Sequence, residues 1–255
     1  MAFRRRTYKR RRTTARRTYR RSGRYAKRRT FKRYGRVTTR QNKLAFSRSQ
    51  CVRLRYCQQV TLNPNADSGA YIVYSANGPQ APNISNSTGV STTLAHQPYG
   101  WDQWSAIYND YIVIGSRIRV TVGAPNSTNQ STAAGIIGIL LSDSPSPYSV
   151  TSSAGATVQM ESGRCAFKQF NSNGSGKAVV VSKSFSAKKF WNVSKLKDNI
   201  VRLGAAVSAT PNEQAYYHLS FYTNDESVST SAGPYCWVAI DYLLLFSGPA
   251  DLQAS

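Results

Sequence analysis

From residue 46 onward, apolar and polar positions alternate with the two-residue period of β-strands. In residues 51–57, Val52, Leu54 and Tyr56 fall on one face, and Cys51, Arg53, Arg55 and Cys57 on the other. Residues 112–122 carry the clearest pattern: Ile112, Ile114, Ile118, Val120 and Val122 share one expected face, with Arg117 and Arg119 opposite. Residues 70–75 form a short apolar run, and residues 135–141 read as a strand buried on both faces. Segments 179–185, 216–223 and 235–246 bring the total to at least seven strands.

Between them lie stretches rich in Ser, Asn, Gly and Pro, at 63–69, 77–89, 125–134, 142–155, 171–176 and 225–233. These are expected to be loops, being too polar to bury and too rich in turn formers to extend a strand. Two short helices are expected, at 101–109 and at 188–198 around Phe190, Trp191, Val193 and Leu196. Many strands, large loops and no regular helical crossovers indicate an all-β antiparallel sandwich or barrel. The expected architecture is a single eight-stranded jelly roll of two sheets. An assembling protein can cover the exposed edges of such sheets with its neighbours.

Charge changes the picture at the N-terminal side. Residues 1–55 hold 23 Lys and Arg and no Asp or Glu, while residues 56–255 hold 11 basic and 11 acidic residues. The net charge of +23 therefore belongs entirely to the first segment. A protein basic merely for solubility spreads its charge; concentration beside a neutral body reads as a tether for a polyanion. The chain divides on this ground into an arm, residues 1–45, and one domain, residues 46–255.

The arm carries Arg4, Arg5, Arg6, Lys9, Arg10, Arg11, Arg12, Arg16, Arg17, Arg20, Arg21, Arg24, Lys27, Arg28, Arg29, Lys32, Arg33, Arg36 and Arg40. Nothing apolar recurs there at helical or strand spacing, and like charges at i,i+4 oppose a free helix. It is expected to stay disordered until a partner neutralises it. Arg outnumbers Lys, and guanidinium forks fit phosphate oxygens and also stack on bases. Tyr8, Tyr19, Tyr25 and Tyr34 are interleaved with the clusters and can stack on the unpaired bases of a single strand. Binding should be independent of sequence and steeply dependent on salt. An import signal needs only a short basic run, so nuclear import is expected as a second task of the arm rather than its whole purpose. Arg53 and Arg55 continue the charge onto the first strand, where they are expected to meet nucleic acid too. For Arg117 and Arg119 a solvated or interface-paired strand face is an equal alternative.

Other chemistry is sparse. No stretch reaches the ~18 apolar residues of a membrane span, and Asp241 interrupts the run at 236–246. The basic start lacks the apolar region of a secretory signal. Cys51, Cys57, Cys165 and Cys236 show neither CxxC spacing nor a disulfide framework, so reduced thiols and no zinc are expected. Gly174-Ser175-Gly176-Lys177 lacks the earlier Gly and the following Ser or Thr of a phosphate-binding loop. His96 and His218 lie at no metal or catalytic spacing, and Asp225-Glu226 suits a solvated loop. Trp101, Trp104, Trp191 and Trp237 are expected in the core or between subunits. No enzyme activity and no cofactor are expected.

The run Tyr108-Asn109-Asp110-Tyr111-Ile112-Val113-Ile114-Gly115-Ser116-Arg117-Ile118-Arg119-Val120 resembles an early strand of circovirus-type capsid proteins, from small circular single-stranded DNA viruses. Their layout, an Arg-rich arm before a strand-rich body, is similar along the whole chain. The resemblance implies a viral capsid jelly roll that self-assembles into a small icosahedral shell of about 60 copies. It further implies an arm facing a circular single-stranded DNA genome, host nuclear import receptors, entry through a host cell-surface receptor, and location in the virion and host nucleus. Sixty arms would carry on the order of 1,400 positive charges, enough to neutralise much of a genome of about two thousand phosphates. The rival is a cellular ribosomal or chromatin-type binding protein with a basic tail, which predicts a basic body as well.

Overall fold

The computed structural model describes residues 47–64, 69–92, 96–123, 135–146, 153–170, 178–223 and 233–250. In chain order the elements are β1 (Ser49–Leu62), β2 (Ala70–Ser75), β3 (Asn83–Thr88), β4 (Val90–Thr92), α1 (Trp101–Ser105), β5 (Tyr108–Gly123) and β6 (Gly135–Ser142). They continue with α2 (Ser153–Glu161), β7 (Cys165–Phe170), β8 (Val179–Ser186), α3 (Ala187–Phe190), α4 (Ile200–Leu203), β9 (Gly204–Ala206), β10 (Tyr216–Thr223) and β11 (Tyr235–Pro249). Among the described residues no helix is long and apolar enough to cross a membrane.

Two antiparallel sheets face each other. One runs β4-β1-β11-β5-β8, with β9 also on β5; the other runs β3-β2-β10-β6-β7. The eight main strands pair first with last, β1 with β11, then β2 with β10, β5 with β8, and β6 with β7. Only the β6–β7 connection stays within one sheet; each other step between consecutive main strands crosses to the opposite sheet. This is the jelly roll, a long antiparallel hairpin wound into a sandwich.

The alternation seen in the sequence places the core. On β1, Leu54, Tyr56, Val60 and Leu62 are buried while Cys51, Arg53, Arg55 and Cys57 are exposed. On β11 the even positions from Cys236 to Phe246 are buried, and Asp241 falls on the wet side, so it does not break the strand. The inner faces are unusually rich in tyrosine: Tyr56, Tyr74, Tyr108, Tyr111, Tyr217 and Tyr242 are all fully buried. Their hydroxyls need partners, and most find them across the sandwich. Tyr242 Oη donates to the Ser75 carbonyl at 2.7 Å, and Tyr74 Oη to Gln58 Oε1 at 2.9 Å. The Ser116 hydroxyl donates to the Ala76 carbonyl at 2.6 Å and lies 2.9 Å from Tyr217 Oη.

Five expectations are corrected. On β5 the pairing with β11 slips between Leu243 and Leu244, which face Gly115 and Val113 and leave Ile114 as the extra residue. This bulge reverses the face, so Tyr111 and Val113 join Ile118 and Val120 inside. Ile112 and Ile114 turn outward with Leu245, where Leu196 helps cover them. The expected loop 77–89 contains β3, which pairs with the edge of β2; ladder bonds come from the backbone, so polar side chains do not forbid an edge strand. Gly89 then links β3 to β4 at φ 63°, where a side chain would strike the Asn63 carbonyl. The eighth main strand, β7, lies where no strand was read. The helix expected at 101–109 ends at Ser105 because Tyr108 enters β5. The one expected at 188–198 ends after Phe190: Asn192 adopts φ 51° and the Val193 N–H bonds back to the Lys188 carbonyl.

Candidate nucleic-acid interface

The wet face of the β1-β11-β5-β8 sheet gathers the cations of the domain's centre. Cross-strand register sets Arg55 opposite Asp241, Asp241 opposite Arg117, and Arg117 opposite Ser184. One step along, Ala239 stands between Cys57 and Arg119, and Trp237 between Gln59 and Thr121. Because strand neighbours in register share a face, these side chains form rows across the sheet. An open trough of about 530 Å³ runs between them, lined by Arg55, Arg117 and Arg119, with Trp237 and Asp241.

Arg55 grips Asp241 with two parallel bonds, Nε–Oδ1 at 2.6 Å and Nη2–Oδ2 at 3.1 Å. The carboxylate raises the arginine pKa above its ordinary value, first through the hydrogen bond and then through its charge. Exposed pairs add little stability, so the fork matters for orientation. Arg117 Nη2 donates to Ser182 Oγ at 3.1 Å. Among the described residues no carboxylate pairs with Arg53, Arg117 or Arg119. With Arg53 on the same face of β1, four guanidiniums stand against one carboxylate.

The other sheet presents a different exterior. Its outward row holds His218, Ser220 and Tyr222, set beside Val73, Tyr71 and Leu140 by register. Ser220 Oγ donates to Gln159 Oε1 of α2 at 3.0 Å, and Tyr222 packs on Met160. His218 Nε2 meets the Ser144 carbonyl at 2.8 Å, and burial lowers its pKa. Charge thus marks the exterior of one sheet, and packing covers that of the other.

Of the sequence candidates, Arg53 and Arg55 share a strand face, and Arg117 and Arg119 join them. The arm residues, Arg4 to Arg40 with Tyr8, Tyr19, Tyr25 and Tyr34, lie outside the described residues, as do Gly174–Lys177 and Asp225-Glu226. Three tryptophans pack as expected: Trp101 edge-on to Tyr111, Trp104 stacked on Phe246, and Trp191 against Phe185. For Trp237 only the core alternative fails: it is 58% exposed on the single chain, with Tyr235 at 42% on the same strand face. Parity with Asp241 was the signal, since the odd positions of β11 lie on the outer face of the sheet. His96 Nε2 meets the Cys57 carbonyl, not its thiol, so no Cys–His pair forms there. Burial pushes the Cys236 thiol up to about 12. Among the described residues no group of three or more His, Cys, Asp or Glu could hold a metal.

No protein-family model matches the chain, and no curated protein matches it in sequence. Solved structures are similar in outline. A virus-like particle of Macrobrachium rosenbergii nodavirus, from the giant freshwater prawn, is 10% identical at TM-score 0.46, covering 81% of this chain and 97% of that one. Mud crab tombus-like virus is 15% identical at TM-score 0.43, covering 82% and 86%. Desmodium yellow mottle tymovirus is 14% identical at TM-score 0.41, covering 82% and 93%. All three are viruses or virus-like particles, and none is a circovirus.

Proposed function

We propose that this chain is the capsid protein of a small virus, a non-enzymatic subunit that assembles with copies of itself and packages nucleic acid. The observation that carries the reading is the segregation of charge: residues 1–45 hold 20 Lys and Arg and no acid, whereas residues 56–255 balance 11 basic against 11 acidic residues. A cellular binding protein with a basic tail predicts basic patches on the folded body too, and the balance of 11 basic and 11 acidic residues over 56–255 argues against it. Here Arg53, Arg55, Arg117 and Arg119 gather on one sheet face, and the first two lie on the strand that follows the arm.

In this reading residues 1–45 bind the genome and residues 46–255 form the shell, a small icosahedron of about 60 copies. The circovirus-like run at Tyr108–Val120 favours circular single-stranded DNA as cargo. The same arm directs import into the host nucleus through its receptors, and a host cell-surface receptor meets the shell's exterior.

The test is sedimentation of the expressed protein after nuclease treatment, with absorbance read at 260 and 280 nm. A fast, homogeneous particle with protected nucleic acid is the expected result; digestion of the extracted cargo by DNase but not RNase supports single-stranded DNA. A slow monomer or dimer that loses its nucleic acid overturns the capsid reading.

A further inference from the structure

We infer that the trough on the β1-β11-β5-β8 sheet is itself a binding site for an unpaired nucleotide stretch, with Trp237 and Tyr235 as base platforms and Arg117 and Arg119 as phosphate contacts. The inference rests on the packaging function proposed above and extends it from the arm to the folded domain.

Trp237 is anomalously solvated for its strand. The same strand buries Cys236, Val238 and Ile240 completely, yet leaves the indole of Trp237 mostly in water. Tyr235 stands two residues away on the same face, so the two side chains leave the strand roughly 7 Å apart. That spacing suits successive unstacked bases, and aromatic side chains on an open sheet face bind single strands in this way without regard to sequence. The trough floor is kept low by Ala239 and Ser182, which leaves room for a planar group over the sheet.

Charge selects the occupant. On the neighbouring strand β5, Arg119 and Arg117 stand one and two same-face rows from Trp237, unpaired with carboxylates among the described residues. Asp241, the one acid in the trough, is held by both arms of the Arg55 fork, which turns its oxygens toward β1. An acidic or neutral protein surface would use the guanidiniums but not two wet rings in line. A polyanion with stacking faces uses both.

The test uses the full chain and a short oligothymidine of about 12 nucleotides containing 5-iododeoxyuridine. Irradiation at long ultraviolet wavelength crosslinks that base to an aromatic ring in contact with it, and peptide mass spectrometry then locates the bond. The expected result is a crosslink on the peptide carrying Tyr235 and Trp237, alongside those on the arm. Trp237→Leu should cut that crosslink about tenfold, the loss of one stacked base, while Trp237→Phe largely retains it. Arg119→Gln should lower it too, without changing sedimentation. Crosslinks confined to residues 1–45 on intact particles would overturn the trough while leaving the packaging function standing. Trp237→Leu that stops particle formation but leaves the trough crosslink at parental yield would also overturn it, and mark the face as a contact between copies. Absence of any crosslink or protected nucleic acid would remove the packaging function and the inference with it.

Discussion

Two tyrosines of the core make the same substitution give opposite results. Tyr242 Oη donates across the sandwich to the Ser75 carbonyl at 2.7 Å, tying β11 to the end of β2. Tyr56 is equally buried, but its hydroxyl has no hydrogen-bond partner among the described residues. Tyr242→Phe removes a short buried bond and leaves an acceptor in a dry site, which costs about 1–3 kcal/mol. Tyr56→Phe removes only an unsatisfied hydroxyl from a space that phenylalanine fills, so stability stays level or rises by up to about 1 kcal/mol. The assay is urea unfolding of the dissociated subunit, followed by far-ultraviolet circular dichroism. At a slope of about 2 kcal/mol per molar, the Tyr242 variant should lose roughly 0.5–1.5 M in midpoint. The Tyr56 variant should match or exceed the parent. Equal losses from both would refute the argument that hydrogen-bond satisfaction distinguishes these sites.

The same tyrosines set an alkaline limit. Burial pushes Tyr56 and Tyr222 up to about 12, and Tyr74, Tyr111, Tyr217 and Tyr242 are raised as well. Unfolded phenols ionise near pH 10, so the stabilisation is complete below that value. It falls by up to about 1.4 kcal/mol per pH unit for each tyrosine until the folded group also ionises. Stability measured by urea midpoint should therefore decline gently above about pH 9, where the thiol of unfolded Cys236 ionises and the buried one does not, and drop steeply above 10. Asp241→Asn should release Arg55, tighten binding to single strands in a filter assay and steepen its salt dependence, with little change in stability. Deleting residues 1–43 should leave the circular dichroism of the domain intact and abolish nucleic-acid uptake; unchanged uptake would refute the role of the arm.

Much of the sandwich was legible because its central strands are wet on one side. Alternation in β1 and along β11 reported burial residue by residue, and even Asp241 fitted once its parity was counted. What escaped was set by neighbours rather than by local pattern. The bulge at Ile114 depends on how β11 meets β5, and no property of Ile-Val-Ile-Gly announces it. Strand β3 is Asn-Ile-Ser-Asn-Ser-Thr, a loop by composition, and is extended because β2 offers it an edge. The helix read at 188–198 failed at Asn192, a residue tolerant of left-handed backbone. Half of the candidate site was visible as Arg53 and Arg55. Its aromatic half was hidden by the expectation that the tryptophans lie in the core or between subunits.

The nesting of first strand with last has a consequence for how the protein is made. Strand β11 lies in the middle of its sheet, between β1 and β5, and Arg55 reaches its partner Asp241 across 186 positions. A growing chain on the ribosome thus exposes the basic arm first, while β1 and β5 wait with open edges for the last strand to emerge. Such distant pairing makes folding slow and leaves those edges open to aggregation. A nascent chain halted before Tyr235 would lack the strand that joins them, so the sandwich can close only in a polypeptide extended past that strand.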